Sequence, residues 1–412
     1  MRIKNGLVFG ADCKFSPRDI FFKNGTIVEE PGGYSTTGNA ATEDAGSVYT
    51  GRRNTGSGYA IPKDASPKDA SPEDTYDADG NYVLPGFIDI HTHGAMGYDM
   101  CDANPEGIEA MLAYHGGHGV TSVVLATMSY PEPVIAAAIQ TSTRYFDKTG
   151  YGAVLRGVNL EGPYLSRNKC GAQNPGYLEN PDLDAFERLV EVSQEHVRLV
   201  DLAPELPGAV DFIKEACKKC AVSLAHTEAS YDVASAAFDA GASHVTHLFN
   251  AMPPFTHREP GVVGAAMEKA GFVELISDGV HIHPAAIRAA FRMFGEQRVC
   301  LISDSMRATG MPDGLYEIGG QAVRVENGRA ALEGNPAAIA GSVVNLAEMC
   351  RRAVGFGIPV EHVVRAATLS PATAAGLGNE VGSLEPGKRA DIVICDRELN
   401  VVAVFCAGKR TI

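Results

Sequence analysis

From about Val83 to Ser305, short apolar runs alternate with amphipathic stretches. The runs IDIHTH, SVVLAT, LRGVNLEG, VRLVDLAPE, VSLAHTE, HVTHLFN, VELISDG and VCLISDS predict eight strands. Between them, PEGIEAMLAYHGG, PEPVIAAAIQTSTRYF, DAFERLVEVSQ, AVDFIKEACKKC, YDVASAAFDAGA and HPAAIRAAFRMFG carry apolar residues at helical spacing, with Gly near several ends. Strand and helix alternating in this way is the signature of an α/β fold of the (β/α)8 TIM-like barrel type. A doubly wound sheet is the alternative. Near-equal units, with no Gly-x-Gly-x-x-Gly after the first strand, argue against it.

The flanks have a different texture. RIKNGLVFG and DIFFKNGTIVEE alternate like short strands, with Asn24-Gly25 as a tight-turn signal, and the tail RADIVICDRELNVVAVFCAGKRTI alternates again. Residues 1–30 and 380–412 are expected to pair as a small discontinuous β-sandwich domain, leaving 80–379 as the barrel. The stretch 31–79 is rich in Gly, Ser, Thr, Asp, Ala and Pro and repeats KDASP at Lys63–Pro67 and Lys68–Pro72. It reads as a polar insertion or flexible loop that buries no core.

A chain of 412 residues with 45% hydrophobic residues can bury a large core. Its 35 basic and 50 acidic side chains give a formal charge of −15, with a pI near 5.3. Phosphates are repelled over most of such a surface, which opposes nucleic acid or anionic membranes as partners. Nine scattered cysteines make an odd set in a long chain and predict no disulfide framework. Cys217-Lys-Lys-Cys220 has redox or zinc spacing but no second pair nearby. The start, MRIKNGLVFGADCKF, is not a signal peptide, and no window approaches the ~18 apolar residues of a membrane span. The expected location is the cytoplasm.

In a barrel the C-terminal strand ends form the reactive face. His91 and His93 end the first predicted strand, Glu161 the third, His226 the fifth, His247 the sixth and Asp304 the eighth. Residues two apart on a strand share a face, so His91 and His93 enter one cavity. Any one of these histidines alone is better read as a hydrogen-bonded structural residue. Their convergence at strand ends, where burial without a partner is costly, favours metal ligation. Imidazole and carboxylate without thiolate suit zinc, iron, manganese or cobalt in an open, catalytic site.

The constellation resembles the amidohydrolase superfamily. PGFIDIHTHG, NLEGPY, AHTE, THLFNAM, REPG and SDS together resemble the N-acetylglucosamine-6-phosphate deacetylase family, from about Tyr82 to Leu377. The resemblance implies one or two divalent metal ions held by His91, His93, Glu161, His226 and His247, with Glu161 bridging. It implies Asp304 as the group that takes a proton from water and returns it to the leaving amine. It further implies substrate contacts from Asn250, Ala251, Arg258, His281, Ile339 and Ala340, with the Ile339–Ser342 turn closing over the ligand. Arg258 is expected to reach the partner subunit's site in a homodimer. Where some relatives carry a His that polarises the acetyl carbonyl, this chain offers Gln173. Asp278, after strand seven, can orient a ligand or cap a loop. The implied reaction releases acetate from N-acetylglucosamine 6-phosphate in amino-sugar catabolism or cell-wall recycling. Its galactosamine epimer is the nearest alternative; a non-catalytic scaffold and other amidohydrolases are more distant ones.

Overall fold

A computed structural model describes residues 1–30 and 75–412. Most of the polar 31–79 stretch therefore lies outside the described residues. Eight parallel strands, Phe87–Thr92, Val120–Ala126, Val154–Glu161, Val197–Leu202, Ala221–Leu224, His244–Val245, Phe272–Ile276 and Val299–Ile302, pair in sequence order. They are called barrel strands one to eight. Strands eight and one meet just past their ends, where Asp304 N donates to His91 O and His93 N to Ser305 O, both at 2.9 Å. The eight expected strands are all present, but strands five, six and eight stop early. His226, His247 and Asp304 adopt φ of 43°, 29° and 46°, a left-handed backbone that cannot continue a strand.

The surrounding helices bury one stripe each. In Pro284–Phe294, Ile287, Ala290, Phe291 and Phe294 face the core at i, i+3, i+4 and i+7. Pro284 opens that helix, and Gly295, at φ 72°, ends it. In Leu183–Val192, Asp182 caps the Ala185 N–H at 3.0 Å, and Phe186, Leu189 and Val190 are buried. A helix over Gly261–Lys269 follows strand six, and Leu346–Gly355, Val360–Ala367 and Leu369–Ala374 follow strand eight. None of these four was expected from the sequence.

A four-stranded antiparallel meander, Gly314–Ile318, Gln321–Glu326, Arg329–Leu332 and Asn335–Ile339, leads into the last three helices and was also unanticipated. Two of its turns are Gly319-Gly320 and Asn327-Gly328, all at positive φ as two-residue hairpins require. Ile318, Val323, Val325, Ala330 and Ala340 form its core with Met128 and Met306.

The terminal segments form one eight-stranded sheet. Arg2–Phe9 pairs with Phe15–Lys23 on one side and with Thr75–Asp77 and Tyr82–Pro85 on the other; Ile392–Cys395 pairs with Tyr82–Pro85. The sheet thus also draws on two strands between the terminal segments and the barrel. It curls until Thr26 bridges Arg389. Alternation then buries both faces: Val83, Ile392, Ile394 and Phe405 turn to the sheet's own core, and Leu84, Val393, Cys395 and Val404 to the barrel's. Among the described residues no helix is long and apolar enough to cross a membrane.

Candidate active site

Glu161, the last residue of barrel strand three, stands at the centre of the reactive face. Its Oε1 lies 3.1 Å from His247 Nε2, 3.2 Å from His226 Nε2 and 3.6 Å from His91 Nε2, while Oε2 is 3.3 Å from His93 Nε2. Two ligand trios share it, His91–His93–Glu161 and Glu161–His226–His247, each with donor atoms within 4.8 Å of one another. Asp304 Oδ1 completes the group, 3.4 Å from His93 Nε2 and 3.8 Å from His91 Nε2. All six side chains are buried.

The hydrogen bonds on the far side of two rings fix what they present. His226 Nδ1 is 2.7 Å from the carbonyl of Lys169, which only accepts, so Nδ1 carries a hydrogen and Nε2 is the ring atom aimed at Glu161, 3.2 Å away. His91 Nδ1 is likewise 3.0 Å from Glu274 Oε2, and His91 Nε2 is buried with no hydrogen-bond partner. Nε2 atoms of two rings aimed at one carboxylate form an arrangement that a divalent cation can use. The set of imidazole and carboxylate donors therefore fits zinc, iron, manganese or cobalt.

Burial opposes ionisation of Glu161 and Asp304, but neighbouring groups outweigh it. Hydrogen bonds from His226, His247 and His93 hold Glu161 well below the usual carboxylate range. The His93 hydrogen bond and the charges of His91, His93 and His247 hold Asp304 below its ordinary value. Both are carboxylates at neutral pH. The left-handed φ of His226, His247 and Asp304 marks three strained backbones, each turning a strand end toward the same point.

The group forms the floor of a cavity of about 360 Å³, within the range that holds small ligands. Gln173, Asn250, Ala251, His281 and Ile339 line it. Ala340 does not: its side chain is buried in the meander core, and its N–H is taken by Ala330 O at 3.1 Å. Adjacent residues leaving a strand point to opposite sides, so the Ala340 side chain faces away from the cavity that Ile339 lines. Arg258 is exposed on the loop after strand six and does not line the cavity of its own chain.

Gln173 is held in the cavity wall by two short hydrogen bonds. Its Oε1 accepts from Ser129 N at 2.7 Å, which orients the amide so that Nε2 donates to Glu161 Oε2 at 2.5 Å. Asp278 both caps its loop and orients a side chain. Its Oδ1 accepts from Val280 N and His281 N, each at 2.8 Å, and Oδ2 holds His281 Nδ1 at 2.7 Å.

Five contributors were missed in the sequence. Glu274 interrupts the apolar run FVELI, a buried carboxylate that only a partner explains. Lys169 acts through its main chain, which no side-chain pattern reveals. Ile318, Ala337 and Ala338 reach the cavity on the unanticipated meander, whose Gly-Gly and Asn-Gly turns were the available signal.

Comparison with known proteins follows the same lines. Residues 82–411 match the model of the amidohydrolase family. The chain is 37% identical over 332 residues to an N-acetylglucosamine-6-phosphate deacetylase of Bacillus subtilis, covering 79% of this chain and 83% of that one. It is 35% identical over 338 residues to an N-acetylgalactosamine-6-phosphate deacetylase of Escherichia coli O157:H7, covering 81% and 88%. A solved mutant N-acetyl-D-glucosamine-6-phosphate deacetylase from Mycobacterium smegmatis, in complex with N-acetyl-D-glucosamine-6-phosphate, superposes with a TM-score of 0.77. That structure is 35% identical, over 84% of this chain and 91% of that one.

Proposed function

The chain belongs to the amidohydrolase family, and from that premise we propose that it hydrolyses the acetamide of N-acetylglucosamine 6-phosphate to glucosamine 6-phosphate and acetate. The observation that carries this is the position of Asp304 beside two His/Glu trios on the floor of a monosaccharide-sized cavity. A divalent metal held by His91, His93, Glu161, His226 and His247 would supply Lewis acidity toward the amide carbonyl and the attacking water.

The remaining chemistry belongs to the chain. Asp304 takes the proton from the water that adds to the carbonyl carbon, then delivers it to the nitrogen as the C–N bond breaks, so that acetate and an amine leave. Its main-chain bond to His91 O and the buried surroundings fix it for both transfers. Asn250 donates its amide to His247 O at 3.0 Å, which ties the loop that contacts the sugar to a metal ligand. His281, oriented by Asp278, faces the same cavity as a donor to the sugar phosphate.

Arg258 serves the phosphate in the site of a second copy in a homodimer. Its exposure, outside its own cavity, supports this, and guanidinium matches phosphate geometry. Nine cysteines without a disulfide fit the reducing cytoplasm. Amino-sugar catabolism or cell-wall recycling supplies the substrate. The relative that acts on the galactosamine epimer, at 35% identity, supports a second reading with the same chemistry. A non-catalytic scaffold is disfavoured by the intact set of six residues.

The test is acetate release by metal-loaded protein from N-acetylglucosamine 6-phosphate, its galactosamine epimer and unphosphorylated N-acetylglucosamine. Fast release from the first alone is expected. Preference for the epimer would transfer the assignment to it, and no release from any would refute deacetylation of these sugars.

A further inference from the structure

Glu274 belongs to neither ligand trio, yet it touches both. It is the third residue of barrel strand seven, fully buried, with its side chain inside the barrel beneath the candidate metal centre. Its Oε2 lies 3.0 Å from His91 Nδ1 and accepts the main-chain N–H of His247 at 3.2 Å; its Oε1 lies 3.3 Å from His244 Nε2. His91 comes from strand one and His247 from the loop after strand six, so one carboxylate joins a member of each trio across the barrel. The contacts differ in kind: it grips the imidazole of His91 but only the backbone of His247.

Asn159 Nδ2 also approaches His91 Nδ1, at 3.4 Å. The carboxylate contact is the shorter one, and a carboxylate has no hydrogen to give, so Nδ1 donates to Glu274. A histidine ligand whose second nitrogen donates to a carboxylate is locked in one tautomer and made more basic at the other nitrogen. His91 Nε2, buried and without a partner, is the atom this prepares.

We propose that Glu274 is a positioning residue that creates the His91–His93–Glu161 metal subsite, and that the Glu161–His226–His247 subsite binds its ion largely without it. This rests on the metal-dependent function proposed above. It predicts two ions of unequal dependence: without the Glu274 charge, the first subsite weakens by about 10–100-fold.

The experiment titrates metal-free full-length protein with Co2+, following visible absorption and calorimetry, for wild type and Glu274→Gln. Glutamine keeps the volume and an acceptor for His247 N, removing chiefly the charge. Wild type is expected to bind two equivalents, and the variant to bind one normally and the other 10–100-fold more weakly. Equal affinities in the two proteins would overturn the proposal. So would a single equivalent in wild type, although that result leaves the deacetylase function standing. No binding at all by wild type would instead refute the metal-dependent function. A second measurement needs no variant: nitrogen-15 NMR of histidine-labelled, metal-free wild type is expected to show His91 with its hydrogen on Nδ1, and a hydrogen on Nε2 alone would overturn the proposal.

Discussion

The main-chain N–H of Asp304 donates to the carbonyl of His91 at 2.9 Å, so the proposed proton carrier is fastened directly to a proposed metal ligand. Ser342 N donates to Asp304 O at 2.7 Å and draws in the chain that follows the meander. Strand one, strand eight and the cavity wall thus meet at one residue in a left-handed conformation, φ 46°. Aspartate and asparagine tolerate that conformation better than most residues, which makes a clean test possible.

Asp304→Asn keeps shape, backbone preference and both main-chain bonds while removing the proton acceptor. Turnover of N-acetylglucosamine 6-phosphate is expected to fall by about 10²–10⁴-fold, with metal content and thermal unfolding nearly unchanged. Steady-state kinetics beside elemental analysis checks it, and wild-type turnover would remove Asp304 from the proton-transfer role.

Gln173→Leu leaves Ser129 N without its acceptor and Glu161 Oε2 without its amide donor. Both groups are buried, so a loss of about 1–3 kcal/mol of stability is expected, together with weaker metal binding. Calorimetric unfolding measures the first and metal titration the second. A change in KM alone would instead assign Gln173 to the substrate.

Asp278 and His281 form a buried pair whose pKa values move apart. For Asp278, burial raises and the His281 hydrogen bond lowers, with a net value below the ordinary one; for His281, burial lowers and the Asp278 hydrogen bond raises, with a net value above it. The pair's stabilisation is complete between the unfolded values of about 3.9 and 6.5. It fades as pH rises through the raised His281 value and as pH falls through the lowered Asp278 value. Asp278→Asn is expected to cost about 1.5–3 kcal/mol inside that window and less on either side. Unfolding temperature against pH for both proteins checks this; a pH-independent difference would show that charge plays no part.

Arg258→Ala is expected to raise KM for the phosphorylated sugar by at least about 10-fold, since losing a charge-assisted contact exceeds 1.4 kcal/mol, while kcat changes little. If Arg258 serves a second copy, mixing this variant with Asp304→Asn restores sites that combine an intact Asp304 with an intact Arg258. Activity recovered on mixing measures it, and none recovered would place Arg258 outside the partner's site.

The barrel was legible because each of its strands is a compact apolar run, and the candidate site because each polar residue breaks such a run near its end. Where those runs stop was not legible. HVTHLFN looks like a strand throughout, but extended structure ends at Val245, since aiming the His247 side chain at Glu161 takes a φ of 29°. The meander was missed because its strands are half exposed and rich in small and charged residues, leaving only the turns as a signal. Glu274 was missed for another reason. One carboxylate in FVELI has no meaning until the fold brings His91, forward from strand one, to within 3.0 Å of it.

The most direct test of the whole account is acetate release from N-acetylglucosamine 6-phosphate by wild-type protein before and after chelation, with metal re-added and counted. Release that disappears with the metal and returns with it is the predicted result. Undiminished release by verified metal-free protein would contradict the assignment of His91, His93, Glu161, His226 and His247, and absence of release from fully loaded protein would contradict the reaction itself.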